Sequence, residues 1–535
     1  MSARSWAAGR PGPGRRAAAA LAAALVAGLG LAAWSLVPRA DPAASPLLAP
    51  AASASPAPAA GPLRVLPGNP RYFTADGRHA VYLTGAHTWN AFQDWGPSDP
   101  PAAFDFGSYL DFLTRYGHNF IRLYVWEQAA WFPGEPREIH IAPLPYRRTG
   151  PGLALDGEPR FDLSQFDPAY FERLRDRVVQ AGRRGIYVSV MLFDGWSIES
   201  KGQTVGNPFA GHPFNRRNNV NRVDGDANHD GQGTELHSLA VPAITALQRA
   251  YVAKVVSSIG DLDNVLWEIS NESPPGSAAW EAAMIAAIRS AEDSIGKHHP
   301  IGMTAMWPST ADNNATLLAS AADWISPHAY PIDKAYLTDP PDATGRKVVL
   351  LDTDHLWGVG GSPGWVWKSF FRGYNPLFMD PYTTALRDLL PAWPSDSAAR
   401  RPDDDWNEVR AAMGHARAVA ARIDLAAMTP ADETCSSRYC LVSPGREYLV
   451  YLPAAQSRRA RLLRLALPFL AHGSVTVDLS AAAGALSVEW IDPARGLVFQ
   501  APSIVGGGSQ RFVAPFPDDA ILHLSALAKS AAITR

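Results

Sequence analysis

Eight short apolar runs alternate with segments of helical period across residues 80–424, an order that few architectures accept. The runs are AVYLTGAHTWN (80–90), FIRLYVWE (120–127), IYVSVMLFDGW (186–196), VLWEISNES (265–273), PIGMTAM (300–306), DWISPHAY (323–330), KVVLLDTDHLWG (347–358) and NPLFMDPY (375–382). Most are rich in β-branched residues, Leu and Met, as strands covered on both faces require. Between them, Phe171, Leu174, Val178 and Ala181 form one helical face. So do Leu247, Tyr251, Val255 and Ile259, and again Met284, Ile288, Ala291 and Ile295. The pattern predicts the α/β class and a (β/α)8 TIM barrel over residues 63–430. A doubly wound open sheet is the rival, weakened because no Gly-rich phosphate loop follows the first run.

The period changes near Tyr448. EYLVYLP, VTVDLS, LSVEWIDPARG, RFVAPF and AILHLSAL are short strands with turns between them. They predict a small C-terminal β-sandwich over residues 431–528 that folds as a separate unit. At the other end, Arg4, Arg10, Arg15 and Arg16 precede an apolar run at 17–34. Residues 1–37 therefore read as a signal peptide or an N-terminal membrane anchor, and 38–62 as an Ala/Pro/Ser-rich linker. Both readings place the rest of the chain outside the cytoplasm, secreted or anchored. Membrane contact is expected only through that segment, if it stays uncleaved. An oxidising compartment suits a local disulfide between Cys435 and Cys440. A net charge of -3, with 19% charged residues, leaves no electrostatic footprint for nucleic acid.

In a parallel barrel the chemistry sits at the C-terminal ends of the strands. Those ends carry His87 and Trp89, then Arg122, Trp126 and Glu127, then Asp194 and Trp196. Asn271 and Glu272 follow, then His328 and Tyr330, then Asp352, Asp354, His355 and Trp357, and last Asp380. A mouth ringed by acids, histidines and Trp is the pattern of a carbohydrate site. Glycoside hydrolysis needs two carboxyl groups, one to protonate the leaving oxygen and one to attack or to activate water. Glu272 fits the acid. Asp352 and Asp354 share strand parity and offer its partner, with Asp354 nearer the mouth. Asn271 is expected to hold a sugar hydroxyl.

At this point the chain resembles the glycoside hydrolases of clan A, in which Asn-Glu closes strand four and a second acid closes strand seven. It is more closely similar to a family that joins a clan-A-like barrel to a domain named for collagen binding, and to apiosidase-type glycosidases. The motifs are YFTADGRHAVYLTGAHTWN, HNFIRLYVWE, LDNVLWEISNES and DTDHLWG, with WIDPARG near the C-terminus. They span nearly all of residues 62–524. The resemblance implies the acid/base role for Glu272, a carbohydrate substrate and no required cofactor. One departure stands out: most members carry Glu on strand seven, and this chain has Asp. The shorter side chain leaves retaining and inverting mechanisms both open.

The sequence also opens a calcium-type loop with Asp226, Asn228 and Asp230, although His237 stands where a closing Glu belongs. A structural calcium and a solvated polar loop are both compatible with it. Asn218, Asn219 and Asn221, just before it, could form a hydroxyl-binding rim. Three functions therefore compete: an exported glycosidase, a non-catalytic glycan- or matrix-binding barrel, and a metal-assisted hydrolase. The last is weakened by the absence of a clustered His set. Acids across an open cleft favour catalysis, whereas acids tied up by Arg122 favour binding.

Overall fold

The apolar runs close on themselves. The computed structural model describes residues 44–47, 58–131, 138–199, 206–329, 334–382, 406–454 and 472–527. Eight parallel strands form a closed barrel. They are β1 (Gly85–His87), β2 (Phe120–Leu123), β3 (Tyr187–Asp194), β4 (Val265–Asn271), β5 (Ile301–Thr304), β6 (Trp324–Ser326), β7 (Val348–Asp352) and β8 (Asn375–Met379). Phe120, Tyr187, Leu266, Trp324, Val348 and Leu377 pack inside it, with Leu63 and Phe73 joining the same cluster. The register pairs Asp194 with Asn271 at the ends of β3 and β4, which sets two polar side chains abreast at the mouth.

The helices cover the barrel with the faces expected from their spacing. Asp167 caps α1 (Pro168–Arg183) by accepting from the Ala169 N–H, and Pro168 opens the first turn. Phe171, Leu174, Val178 and Ala181 are buried. In α2 (Pro242–Ile259) the buried face includes Tyr251, Val255 and Ile259. In α3 (Ala278–Ile295) Met284 and Ile288 are buried, but Ile295 is exposed, because the helix ends there at Gly296.

Long connections after β2 and β3 build a wall beside the mouth. The hairpin of Tyr146–Leu153 and Pro159–Phe166 packs over a cluster containing Phe161, Leu163, Phe209, Phe214 and Leu236. The three asparagines read as a hydroxyl-binding rim are braces instead. Asn218 donates to Ala210 O and His212 O and accepts from the Leu155 N–H. Asn219 is bound to the backbone of Pro213, Asn215 and Val223, and Asn221 accepts from the Leu163 N–H.

Past the barrel, the strands Cys440–Ser443, Glu447–Leu452, Ala485–Asp492, Leu497–Val505 and Ala520–Ala526 lie in one seven-stranded antiparallel sheet. Its edges are Thr429–Pro430 and Ala44–Pro46, the latter a piece of the segment read as linker. A two-stranded sheet of Ser474–Asp478 and Ser509–Val513 shares a core with it through Val442, Val450, Val475 and Val477. Cys435 and Cys440 are joined, with Cα atoms 6.5 Å apart. Leu449 and Tyr451 face the other way and enter the barrel's own core, with Tyr451 against Trp367 and Phe371 of α4 (Pro363–Phe371). The strand Glu447–Leu452 is buried on both faces, one side in the sheet's own core and the other in the barrel's. The signal or anchor segment lies outside the described residues. Among the described residues no helix is long and apolar enough to cross a membrane.

Candidate active site

The barrel interior carries a buried charge that the apolar runs conceal. Arg122, 2% exposed, points inward from β2 and donates through Nε to both oxygens of Glu268 at 2.9 Å. The Ser189 hydroxyl donates to the same carboxylate at 3.0 Å. Breaking a buried pair of this kind by deleting one partner costs roughly 3–5 kcal/mol. Glu268 therefore fixes Arg122, and Arg122 organises what lies above it. Arg122 is not an open substrate contact. Its Nη1 donates to Asp354 at 2.8 Å and to Asp352 at 3.4 Å, and its Nη2 donates to Asn271 Oδ1 at 2.7 Å.

Asn271, at the end of β4, has every hydrogen-bonding position filled. Its Oδ1 accepts from Arg122 and lies 3.0 Å from His355 Nε2, while its Nδ2 donates to the Tyr124 hydroxyl and to Asp194 at 3.4 Å. It acts as a strut in this arrangement, which corrects the expectation that its amide waits for a sugar. Asp194 is likewise fully buried and accepts from the Ser197 hydroxyl at 3.0 Å.

The two acids differ in setting: Asp352 closes β7, whereas Asp354 lies beyond it in the turn Thr353–His355, not on the strand as its parity with Asp352 predicted. Asp352 is 1% exposed, lies 3.1 Å from His87 Nε2 and accepts from the Asp354 N–H at 3.0 Å. Burial opposes its charge, but His87 and Arg122 hold it well below the usual carboxylate range. For Asp354 burial wins. Together with the charge of Asp352 it raises the carboxyl, against the pull of Arg122. Ligand atoms of His87, Asp352 and Asp354 lie within 4.8 Å of one another, the spacing of a metal triad. Arg122 already supplies the positive charge there, so these residues do not fit as a metal centre.

Glu272 closes the other side of the site. It is 4% exposed, with φ of +44°, a left-handed conformation uncommon for a residue with a side chain. The half-buried Trp196 donates its indole N–H to Glu272 Oε2. Gly195 explains how the chain reaches this turn: a Cβ there would lie 2.1 Å from the Glu272 carbonyl oxygen. Tyr124 stands between the groups. Burial raises its hydroxyl well above its ordinary value, reinforced by Asp194, Asp354 and Glu272.

Other expected contacts fall elsewhere. Trp89 and Trp126 are buried at 5% and 4%, packed on Trp95, and the Trp126 indole donates to Trp89 O. Their rings offer no face to a sugar. Asp380 is fully buried in a two-point pair with Arg410 of α5 (Asn407–Ala420), at 2.7 and 2.8 Å, and ties that helix to the barrel. Glu127 is approached by His212 at 3.4 Å and His237 at 3.7 Å. Burial would raise its carboxyl, but the two histidines bring it down to about 2. His212 Nδ1 accepts from the Phe214 N–H, so its Nε2 carries a proton and is no metal ligand. His328 is buried, its ring 5.6 Å from Trp307. Trp357 is half-buried and donates to Gly360 O. Tyr330 lies outside the described residues.

The calcium-type loop is closed on itself. Asp226 accepts from the N–H groups of Asp230 and Gly231, Asn228 from Asp230, and Asp230 from Gln232. His237 is buried in a stack 4.3 Å from Trp280. With no acid at the closing position, the residues present do not complete a calcium cage.

Sequence reasoning missed Glu268, Tyr124 and Trp307. An acid inside the apolar run VLWEISNES demands a buried partner, and Tyr124 shares strand parity with Arg122; both signals were present. For Trp307 nothing in the sequence set it apart from the other Trp.

No protein-family model matches the chain, and no curated protein matches it. Solved structures do. One described as a glycoside hydrolase superposes with a TM-score of 0.53 at 12% identity, covering 88% of this chain and 98% of that one. A glycoside hydrolase family 5 protein from Bacteroides vulgatus gives 0.52 at 11% identity, covering 87% and 93%. At such identities the likeness establishes the (β/α)8 barrel fold.

Proposed function

We propose that this chain is an exported glycoside hydrolase that cleaves O-glycosidic bonds of a polysaccharide or its side chains. The observation that carries the reading is the setting of Glu272. It stands at the mouth of β4 in a left-handed turn, with one oxygen held by Trp196. Across the barrel Asp354, in the turn after β7 and less buried than Asp352, shares the Arg122 Nη1 donor with it. In this reading Glu272 protonates the leaving oxygen and Asp354 attacks the anomeric carbon or activates water, with no cofactor. Asp352, held ionised by His87 and Arg122, supports its neighbour. Export rests on the N-terminal sequence, and the apiosidase-type resemblance belongs to the same reading. No residue argues for collagen.

Replacing Glu272 by Gln should leave folding intact and lower hydrolysis roughly 10²–10⁴-fold, the usual contribution of a general acid. A panel of aryl glycosides provides the measurement. Substrates with good leaving groups should lose least, and equal loss across all leaving groups would count against the acid role.

A second reading has a specific observation in its favour. Arg122 grips Asp352, Asp354 and Asn271, the arrangement expected of a barrel that binds glycans without cleaving them. Calorimetry of the unaltered protein with polysaccharides separates the two: saturable binding with no product released would favour the binding protein.

A further inference from the structure

β4 and β7 are not neighbours. β5 and β6 lie between them, so no backbone ladder sets the distance between the mouth residues of one and those of the other. Yet that distance governs chemistry between a carboxyl group on each. Glu272 directly follows Asn271, and His355 directly follows Asp354. His355 Nε2 lies 3.0 Å from Asn271 Oδ1, and its Nδ1 lies 2.7 Å from the Ser326 hydroxyl on β6.

The hydrogen positions follow from the partners. Arg122 can only donate, and it donates to Asn271 at 2.7 Å, which identifies the atom it meets as the amide oxygen. An oxygen can only accept from His355, so the proton sits on Nε2 of the imidazole. Nδ1 of the neutral ring then accepts from Ser326. The ring is 1% exposed. Burial, helped by Arg122, pushes it well below the ordinary histidine range, in keeping with a neutral ring.

The turn that carries His355 is itself fixed. Asp352 accepts from the Asp354 N–H, the Trp357 and Gly358 N–H groups donate to Thr353 O, and the Thr353 hydroxyl accepts from the Met379 N–H. A side chain anchored on such a turn transmits its position to Asp354.

We propose that His355 is a positioning residue: by donating Nε2–H to Asn271 it ties the turn bearing Asp354 to the strand end bearing Glu272 and so sets the separation of the two carboxylates. The inference rests on the glycosidase reading above. Arg122 makes a parallel link, but it grips the Asp354 carboxylate through a single Nη1 and leaves the second lone pair of Asn271 Oδ1 to His355. Misplacement by about 1 Å in such a site costs on the order of 10²-fold in rate.

The test compares two variants of the full chain. In His355→Gln the amide nitrogen reaches the place of Nε2, whereas in His355→Asn it stops short. His355→Asn should lower kcat roughly 10²-fold with KM little changed, and His355→Gln should restore most of it. Equal impairment of both variants, at matched melting temperature, would overturn the proposal, as would an unaltered kcat in His355→Asn. Imidazole ¹⁵N NMR reads the link without turnover. His355 should remain neutral with Nε2 protonated across about pH 5–8. A ring that titrates in that range, or one protonated on Nδ1, would overturn the link itself. A native protein that hydrolyses no glycoside would instead overturn the glycosidase reading, and with it the catalytic half of this proposal.

Discussion

Two carboxylates separated by one residue on the same edge of a site seldom share a role, and Asp352 and Asp354 are set apart by their partners. Asp352 has His87, Arg122 and a backbone N–H, and its charge is secured. Asp354 has Arg122 alone among its described hydrogen-bond partners and keeps a raised carboxyl. Groups pushed in opposite directions by their surroundings divide the work of acid, base and support. If Asp354 is the nucleophile, Asp354→Ala should abolish turnover and azide should restore it, because a small anion fills the gap and attacks the anomeric carbon. Asp352→Ala should retain measurable activity with a shifted pH profile. Azide rescue of Asp352→Ala alone would reverse the assignment. Rescue of neither, with inverted product configuration by NMR, would mean that one of the two activates water.

At the scale of the element, the end of β4 is the unusual piece. Its left-handed turn at Glu272 is accommodated because the chain after β3 presents Gly195 against the Glu272 carbonyl. A methyl group at 195 would meet backbone, which cannot swing aside as a flexible side chain can. Gly195→Ala should therefore move Glu272, costing about 1–3 kcal/mol in stability, as overpacking does. By displacing Glu272 it should also lower activity on the order of 10²-fold. Melting temperature and hydrolysis measured together check this, and a fully active Gly195→Ala would refute the close approach. The strands were legible in the sequence because a parallel strand covered on both faces has little choice but an apolar run. The loops were not. Trp89 and Trp126 lie just past strand ends, as cleft residues do, but the chain folds back and buries them against Trp95. Asn218 and Asn219 look the same in sequence whether they bind a hydroxyl or the backbone of their own loop. Asp380 found Arg410, some thirty residues away on α5, and no spacing rule connects the two.

At the scale of the molecule, the sheet is fastened to the barrel by more than the shared apolar core. His523 lies 2.8 Å from Glu447 through Nε2 and 3.1 Å from Glu489 through Nδ1. Arg422, just past α5, donates to Glu489 at 3.0 Å, and Glu447 accepts from the Asp424 N–H. A ring with a carboxylate on each nitrogen is best served by two protons. Burial works against the charged ring, but Glu447 and Glu489 outweigh it and raise His523 above its ordinary 6.5. The bond from His523 is the main cause that lowers Glu489 from 4.5 to about 2. The signs are opposite. The raised histidine stabilises fully below about pH 6.5 and loses that contribution as pH climbs through its folded value. The lowered glutamate stabilises above about 4.5 and loses its contribution as pH falls toward 2. Between those limits the clasp is intact. The melting temperature should therefore fall as pH rises above about 6.5 and through the raised value of His523. His523→Gln, which keeps the size of the ring but cannot carry its charge, should melt lower than the native protein at pH 6 and show a flatter alkaline limb. Buried Glu281 adds a loss of the same sign, raised by burial from 4.5 to about 7, but its window closes near pH 7. A native alkaline slope that survives unchanged in His523→Gln would place the pH dependence elsewhere and leave the apolar face of Leu449 and Tyr451 as the main fastening.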